Sequence, residues 1–260
     1  VLVLMSDKLK TDLVQIDQYE QTALEVSGLT KSFGRIRVLD GLNLSIDLGE
    51  VVSILGSNGS GKTTLINIIS MLTNPDYGSI RVFGRSIEKN PNEIRSCIGM
   101  IGHSPMLYSE MTGLENLTFF GRMFRIDDLH SHILKTADSL GISNILDRKV
   151  GSMSHGMQKR FAIARAILHK PRILLMDEPE SGLDQSAIDL LRNVIGEYKS
   201  FGCAILLVTH SLDEAVKLGD RVSILSRGKV AYEQSTASVK IQELRKRYFQ
   251  YSDQYTSVEI

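Results

Sequence analysis

The run Gly56-Ser57-Asn58-Gly59-Ser60-Gly61-Lys62-Thr63 leaves this chain few folds to choose from. Before it stands Val51–Leu55, an apolar stretch suited to a strand buried on both faces, and after it residues 63–72 continue as an apolar helix. A glycine, four residues and Gly-Lys-Thr on a strand-to-helix turn form the phosphate-loop pattern. The glycines let consecutive backbone N–H groups point inward at a phosphate, and the helix start adds positive potential. Lys62 supplies a full charge between β- and γ-phosphates, and the Thr63 hydroxyl faces Mg2+. Average composition yields the bare pattern in about one chain in a hundred of this length, so its place between strand and helix carries the assignment.

The surrounding pattern extends the strand-to-helix unit into an α/β fold. A strand begins near Leu24, and Leu42, Leu44, Ile46 and Leu48 recur at every second residue, which predicts one core-facing side of a half-buried antiparallel strand. Residues 105–170 read as a helical insertion, with apolar positions at Leu117, Phe120, Met123 and Phe124 and again at Met157, Phe161, Ala164 and Leu168. Residues 173–176, 204–208 and 222–225 are short buried-strand runs, with helical patterns at 184–199 and 211–218 between them. Strands alternating with helices predict a mainly parallel sheet. Residues 1–23 read as a polar extension. Residues from 234 to 260 read as a solvated helical tail, with Lys240, Arg245, Lys246 and Arg247 against Glu243.

Composition removes several function classes. The chain has 260 residues, with 30 Lys plus Arg against 30 Asp plus Glu, 42% hydrophobic and 23% charged, which excludes disorder and fibrous structure. Zero net charge leaves no basic stripe for nucleic acid. Apolar runs such as Ala204–Val208 fall well short of the roughly 18 residues of a membrane span, and residues 1–5 lack the basic segment of a secretory signal. A cytoplasmic location is therefore expected. Cys97 and Cys203 sit in apolar runs without metal-type spacing and read as reduced core residues. His130 and His132, beside Asp127 and Asp128, read as a solvated helix, and Met100, Met106 and Met157 as core filler.

Two further sites belong with the phosphate loop. Asp177 and Glu178 close the buried run after Arg172, at the C-terminal sheet edge where α/β proteins place ligands. Alone, an Asp-Glu pair there is a solvated turn. Beneath a phosphate loop, Asp177 suits a Mg2+ ligand and Glu178 suits a base that polarises water for in-line attack on a γ-phosphate. His210 ends the run Leu207-Val208-Thr209 on the same edge. In Met153-Ser154-His155-Gly156-Met157, Ser154 suits a helix N-cap, and the helix start it caps is also an anion site. Lying in the helical insertion, it would meet a phosphate bound by another subunit.

In order, these elements resemble the nucleotide-binding subunit of ABC transporters over residues 24–233. The resemblance implies that Phe33, in Lys31-Ser32-Phe33-Gly34, stacks on adenine and that residues 56–63, with Thr64 after them, form the Walker A loop. It assigns Ser154 and Gly156 to the signature, Asp177 and Glu178 to Walker B, Ser181-Gly182-Leu183-Asp184 to the D-loop and His210 to the switch. It further implies ATP and Mg2+ as cofactors and a head-to-tail dimer, with itself or with a paralogous ATP-binding subunit. A separate polytopic membrane subunit would complete the assembly, with this chain peripheral on the inner membrane face. His155 replaces the first signature glycine. No glutamine stands in Ile101-Gly102-His103-Ser104-Pro105, where the family has one, and gapless alignment puts His103 there as a substitute coupling group.

Gly102-His103 and Ser154-His155-Gly156-Met157 resemble the branch of two-component exporters that includes haem, drug and nodulation-factor types. Leu107, Tyr108, Met111, Phe119, Phe120 and Phe124 lie where the family docks its membrane subunit, with core packing expected for most of them. The rival class is a soluble ABC-type ATPase of iron–sulfur cluster assembly. DNA-repair types need a long coiled-coil insertion and translation types a second cassette, and neither is present. A non-hydrolysing ATP-gated subunit would not need Glu178.

Overall fold

The computed structural model describes residues 21–253. The chain opens with a long antiparallel pair, β1 (Thr22–Phe33) and β2 (Ile36–Asp47), in which Leu24, Val26 and Leu29 face Ile46, Leu44 and Leu42. Leu42, Leu44 and Ile46 are buried as the alternation predicts, but Leu48 is 40% exposed. The strand ends at Asp47, whose carbonyl accepts the Glu50 N–H in a turn, so the period of two lapses before Leu48.

From that turn β3 (Val51–Leu55) enters a second sheet, and the phosphate loop leads into α1 (Lys62–Ile69). The chain returns to the first sheet through β4 (Tyr77–Val82) and β5 (Arg85–Ser86), giving the order β2-β1-β4-β5. Then α2 (Pro91–Cys97) leads to β6 (Ile98–Ile101), the edge strand of the second sheet. Neither β4, β5, α2 nor β6 is legible as a strand or helix pattern in the sequence. Cys97, at the end of α2, is only half-buried, whereas Cys203 is buried, and both thiols are free.

Between β6 and β7 (Ile173–Asp177) lie α3 (Gly113–Met123), α4 (Leu129–Ser139) and α5 (His155–Ile167). Thr112 starts α3 with a reciprocal cap: its hydroxyl accepts the Glu115 N–H, and the Glu115 carboxylate accepts the Thr112 N–H. Met123 is 65% exposed, contrary to its expected core position, because the buried stripe of α3 runs through Gly113, Asn116, Leu117 and Gly121. Met106 is likewise 38% exposed, on a left-handed backbone in the β6–α3 connection, while Met100 and Met157 pack against core.

The chain then alternates α6 (Gln185–Ser200), β8 (Ala204–Val208), α7 (Leu212–Leu218), β9 (Arg221–Ser226), β10 (Lys229–Ser235) and α8 (Ile241–Asp253). The second sheet has the order β10-β9-β3-β8-β7-β6, parallel except for β10. Parity divides its two faces. Val52, Ile54, Ile173, Leu175, Ala204, Leu206 and Val208 join one core with the antiparallel sheet and α1. Val51, Leu174, Met176, Ile205 and Leu207 join the other, with the helices from α3 to α6. The tail differs from its expected solvated form. β10 occupies residues up to Ser235, and α8 buries Leu244 against Leu55, Val222 and Ile224 with Tyr248 and Tyr251 alongside, leaving Lys240, Arg245 and Lys246 exposed. The extension at 1–23 lies almost wholly outside the described residues.

Candidate active site

Three parallel strands, β3, β7 and β8, deliver the site to one edge of the sheet. At the end of β3 the loop from Gly56 to Gly61 wraps the start of α1. Gly61 has φ 108, and a Cβ there would lie 2.7 Å from the Leu39 side chain and 2.9 Å from the Val38 carbonyl, so glycine alone fits. Ser57 is half-buried, Asn58 and Gly59 are exposed, and Ser60 is buried. Lys62 folds back over this loop, its Nζ donating to the carbonyls of Gly56 at 2.7 Å and Ser57 at 2.9 Å. Burial depresses the ammonium's pKa, and the charges of Glu178 and Asp177 oppose that fall. Thr63 and Thr64 follow on the first turn of α1.

Asp177 is the last residue of β7 and is 3% exposed. Burial raises its pKa, with neighbouring Glu178 adding to the rise, while a hydrogen bond from Thr63 and the charges of Lys62 and His103 oppose it. A buried carboxylate beside a threonine hydroxyl is an oxygen donor set of the hard kind that Mg2+ takes, so these residues fit that ion.

Glu178 has φ 50, a left-handed backbone rare for a side chain of this size, and its N–H donates to Val208 at 2.9 Å. The turn swings its carboxylate across to the next strand, where it meets Nε2 of His210. Beside them the Thr209 hydroxyl donates to Glu180 and accepts the Ser211 N–H. His103, exposed in the β6–α3 connection, is near enough for its charge to act on Asp177, so the structure brings it to the same carboxylate cluster.

The other predicted residues lie on α5, on α6 and at the end of β1. Ser154 caps α5, accepting the Met157 N–H at 3.3 Å, and Gly156 has open space where a side chain would be. The ring of His155 lies over Gly182 of the D-loop, 2.5 Å from where a Cβ would stand, so the signature and the D-loop are packed together within one chain. Asp184 caps α6 through the Ala187 N–H at 2.8 Å and accepts from the Ser186 hydroxyl, and these bonds lower its pKa. Phe33, at the end of β1, is 53% exposed with Lys31 Nζ 5.5 Å from its ring.

Lys159 is a polar group of the site that sequence reasoning missed. It is 1% exposed on α5 and donates to the carbonyls of Gly102 and Glu178. Its only signal was indirect. Phe161, Ala162, Ile163, Ala164 and Ala166 are buried on every side of the helix, which leaves a lysine on that helix no certain route to water.

A parallel sheet that carries a phosphate loop, a buried aspartate and a glutamate–histidine pair to one edge defines a P-loop nucleoside triphosphatase. The family model described as ABC transporter matches residues 39–181, and the chain belongs to that family. Relatives include the daunorubicin/doxorubicin resistance ATP-binding protein DrrA of Streptomyces peucetius, 34% identical over 84% of this chain and 67% of its own length. The bacitracin transport ATP-binding protein BcrA of Bacillus licheniformis is 34% identical over 91% of this chain and 78% of its own. The Nod factor export ATP-binding protein I of Rhizobium meliloti is 35% identical over 80% and 62%. Among solved structures, an ATP-binding subunit of an ABC transporter superposes with a TM-score of 0.81 at 28% identity, covering 88% of this chain and all of that one. A dimeric post-hydrolysis ATP-binding cassette bound to ADP and Pi superposes with a TM-score of 0.76 at 28% identity, covering 82% and 98%. The chain is an ABC ATPase, the ATP-binding subunit of a transporter.

Proposed function

We propose that this chain hydrolyses ATP to power export through a separate polytopic membrane subunit, working as a dimer with itself or with a paralogous ATP-binding subunit. The observation that carries the hydrolytic reading is the Glu178 carboxylate held by His210, beside the buried Asp177 and Lys62. Lys62 and the loop N–H groups bind the β- and γ-phosphates, and Phe33 offers its exposed ring to adenine. Thr63 and Asp177 would hold Mg2+, which neutralises phosphate charge when bound. Glu178 takes the proton of the attacking water, and His210 fixes the carboxylate's direction. Ser154 and Gly156, at a capped helix start with open space at the glycine, close on the ATP of the second subunit. Pairing into a dimer is supported by the dimeric form of the solved relative.

Export is supported by the relatives' names, daunorubicin/doxorubicin resistance, bacitracin transport and Nod factor export, which also stand against the soluble iron–sulfur alternative. Haem is the narrower cargo implied by the sequence resemblance. An aromatic patch supports docking on the membrane subunit: the rings of Tyr108, Phe119 and Phe120 form a cluster with centroids 5.3 to 6.3 Å apart. Tyr108 is 51% and Phe119 38% exposed, whereas Leu107, Met111, Phe120 and Phe124 are half-buried. Asn116, fully buried, holds this patch by accepting the Tyr108 N–H and donating to its carbonyl. Among the described residues no helix is long and apolar enough to cross a membrane. The deciding experiment is gentle solubilisation of native membranes and identification of what co-purifies. A polytopic subunit, with or without bound haem, supports the reading, and recovery with soluble iron–sulfur proteins alone overturns it.

A further inference from the structure

The edge strand β6 is not left open on its free side. Its outward carbonyls, those of Ile98 and Met100, and that of Gly102 just beyond, each receive a basic side chain from α5 or the turn after it. His169 Nε2 lies 3.0 Å from the Ile98 carbonyl, Arg165 Nη2 donates to Met100 at 2.6 Å, and Lys159 Nζ donates to Gly102 at 3.3 Å. Since a carbonyl only accepts, His169 carries its proton on Nε2, and burial pushes its pKa down to about 4, so it is neutral. The helix can come this close because residue 99 is glycine: a Cβ there would lie 2.4 Å from the Ala166 carbonyl. The ladder therefore ties the helix capped by Ser154 to the strand that leads into His103.

The last rung differs from the other two. Lys159 also donates to the Glu178 carbonyl at 3.3 Å, and the carboxylates of Glu180, Asp177 and Glu178 all act on its charge. The other end of the ladder backs the aromatic patch, with the Arg165 guanidinium 5.4 Å from the Phe120 centroid and the His169 ring stacked on Phe124 at 3.8 Å. We propose that Lys159 is a positioning residue for hydrolysis: it clasps the β6–α3 connection to the backbone of Glu178, so that the stance of α5 sets where the Glu178 carboxylate points. The ammonium suits the task because one group with three donors satisfies two converging carbonyls at once.

This inference rests on Glu178 as the base, and the test separates the two. Steady-state turnover and ATP-analogue binding are measured on the purified chain carrying Lys159→Met, Lys159→Arg or Glu178→Gln. Misplacing a reacting group by about an ångström costs up to about a hundredfold, so K159M is expected to lower kcat by about ten- to a hundredfold with analogue affinity retained. K159R, which keeps charge and donors, is expected to recover most of that turnover. Wild-type kcat in K159M, parallel loss of kcat and affinity, or no recovery in K159R would each overturn the proposal. If K159M does not fold, Lys159→Gln is read in the same way, and failure of both to fold assigns the lysine to stability alone. Full turnover in E178Q would remove the base assignment and the positioning role with it, whereas wild-type kcat in K159M beside an inactive E178Q would remove only the role of Lys159.

Discussion

Nε2 of His210 meets Oε1 of Glu178, although the two residues leave the sheet on different strands. The parallel register of β7 and β8 pairs Asp177 with Val208, so the chain emerges from both strands at the same level. The left-handed turn at Glu178 then carries its side chain sideways to the histidine rather than outward to solvent.

This contact predicts the phenotype of a Glu178→Gln change. Removing a positioned base costs about a hundred- to ten-thousandfold in rate, while phosphate binding by Lys62 and the loop is untouched. Phosphate release should fall by that range with ATP affinity intact. His210→Ala should lower it too, and the double variant should be little worse than the poorer single one, because the two side chains act as a unit. Additive losses would show that they work separately.

Asp177 links stability to function. Its folded-state pKa is raised above the ordinary 3.8, chiefly by burial. In that case the native state holds a proton that the unfolded chain has released, so stability declines as pH rises from about the ordinary value through the raised one. At neutral pH the ionised group is a net cost. Asp177→Asn should therefore raise Tm, by about 2–4 °C for each kcal/mol relieved, while abolishing hydrolysis. Thermal melts of both proteins at pH 7 check this, and an equal or lower Tm in the variant would contradict it.

His103 lies near Asp177, in the connection that leads to the aromatic patch. His103→Ala should lower partner-stimulated ATPase more than basal ATPase, and His103→Gln should restore part of the stimulation. Unchanged transport and ATPase in the alanine variant would remove His103 from the coupling route.

Tyr108 and Phe119 expose the outer part of their cluster, so truncating either to alanine should weaken membrane association while ATP affinity stays the same. Flotation of the variant with membranes, compared with nucleotide binding, distinguishes docking from core packing. Equal loss of both would mean core.

Gly99 controls how closely α5 approaches β6. Gly99→Ala forces a Cβ toward the Ala166 carbonyl and Pro171, and overpacking of that kind costs about 1–3 kcal/mol. Urea unfolding should show a lower midpoint with an unchanged slope.

Much of this was legible in the chain itself. The buried strands β3, β7 and β8 show as apolar runs because both of their faces are covered, and Leu42, Leu44 and Ile46 alternate because only one is. β4, β5 and β6 left no such trace, being short or, like β4, buried mainly at Ile80 and Val82. Leu48 and Met123 fit their periodic patterns and are exposed, because a turn or the neighbouring packing ended the face they were counted on. Leu244 reversed the expectation for the tail, since one buried side chain and its tyrosine neighbours suffice to dock an otherwise charged helix.

Sequence by itself determined the phosphate loop, the acidic pair and the buried strands β3, β7, β8 and β9 with the helices between the last three, because each depends on residues adjacent in the chain. Only the tertiary structure decided that His210 faces Glu178, that His155 lies on Gly182 and that Lys159 joins Gly102 to Glu178. Those relations depend on strand register and on how closely a helix can approach an edge. Such distances arise when the core packs, and no local run of residues encodes them.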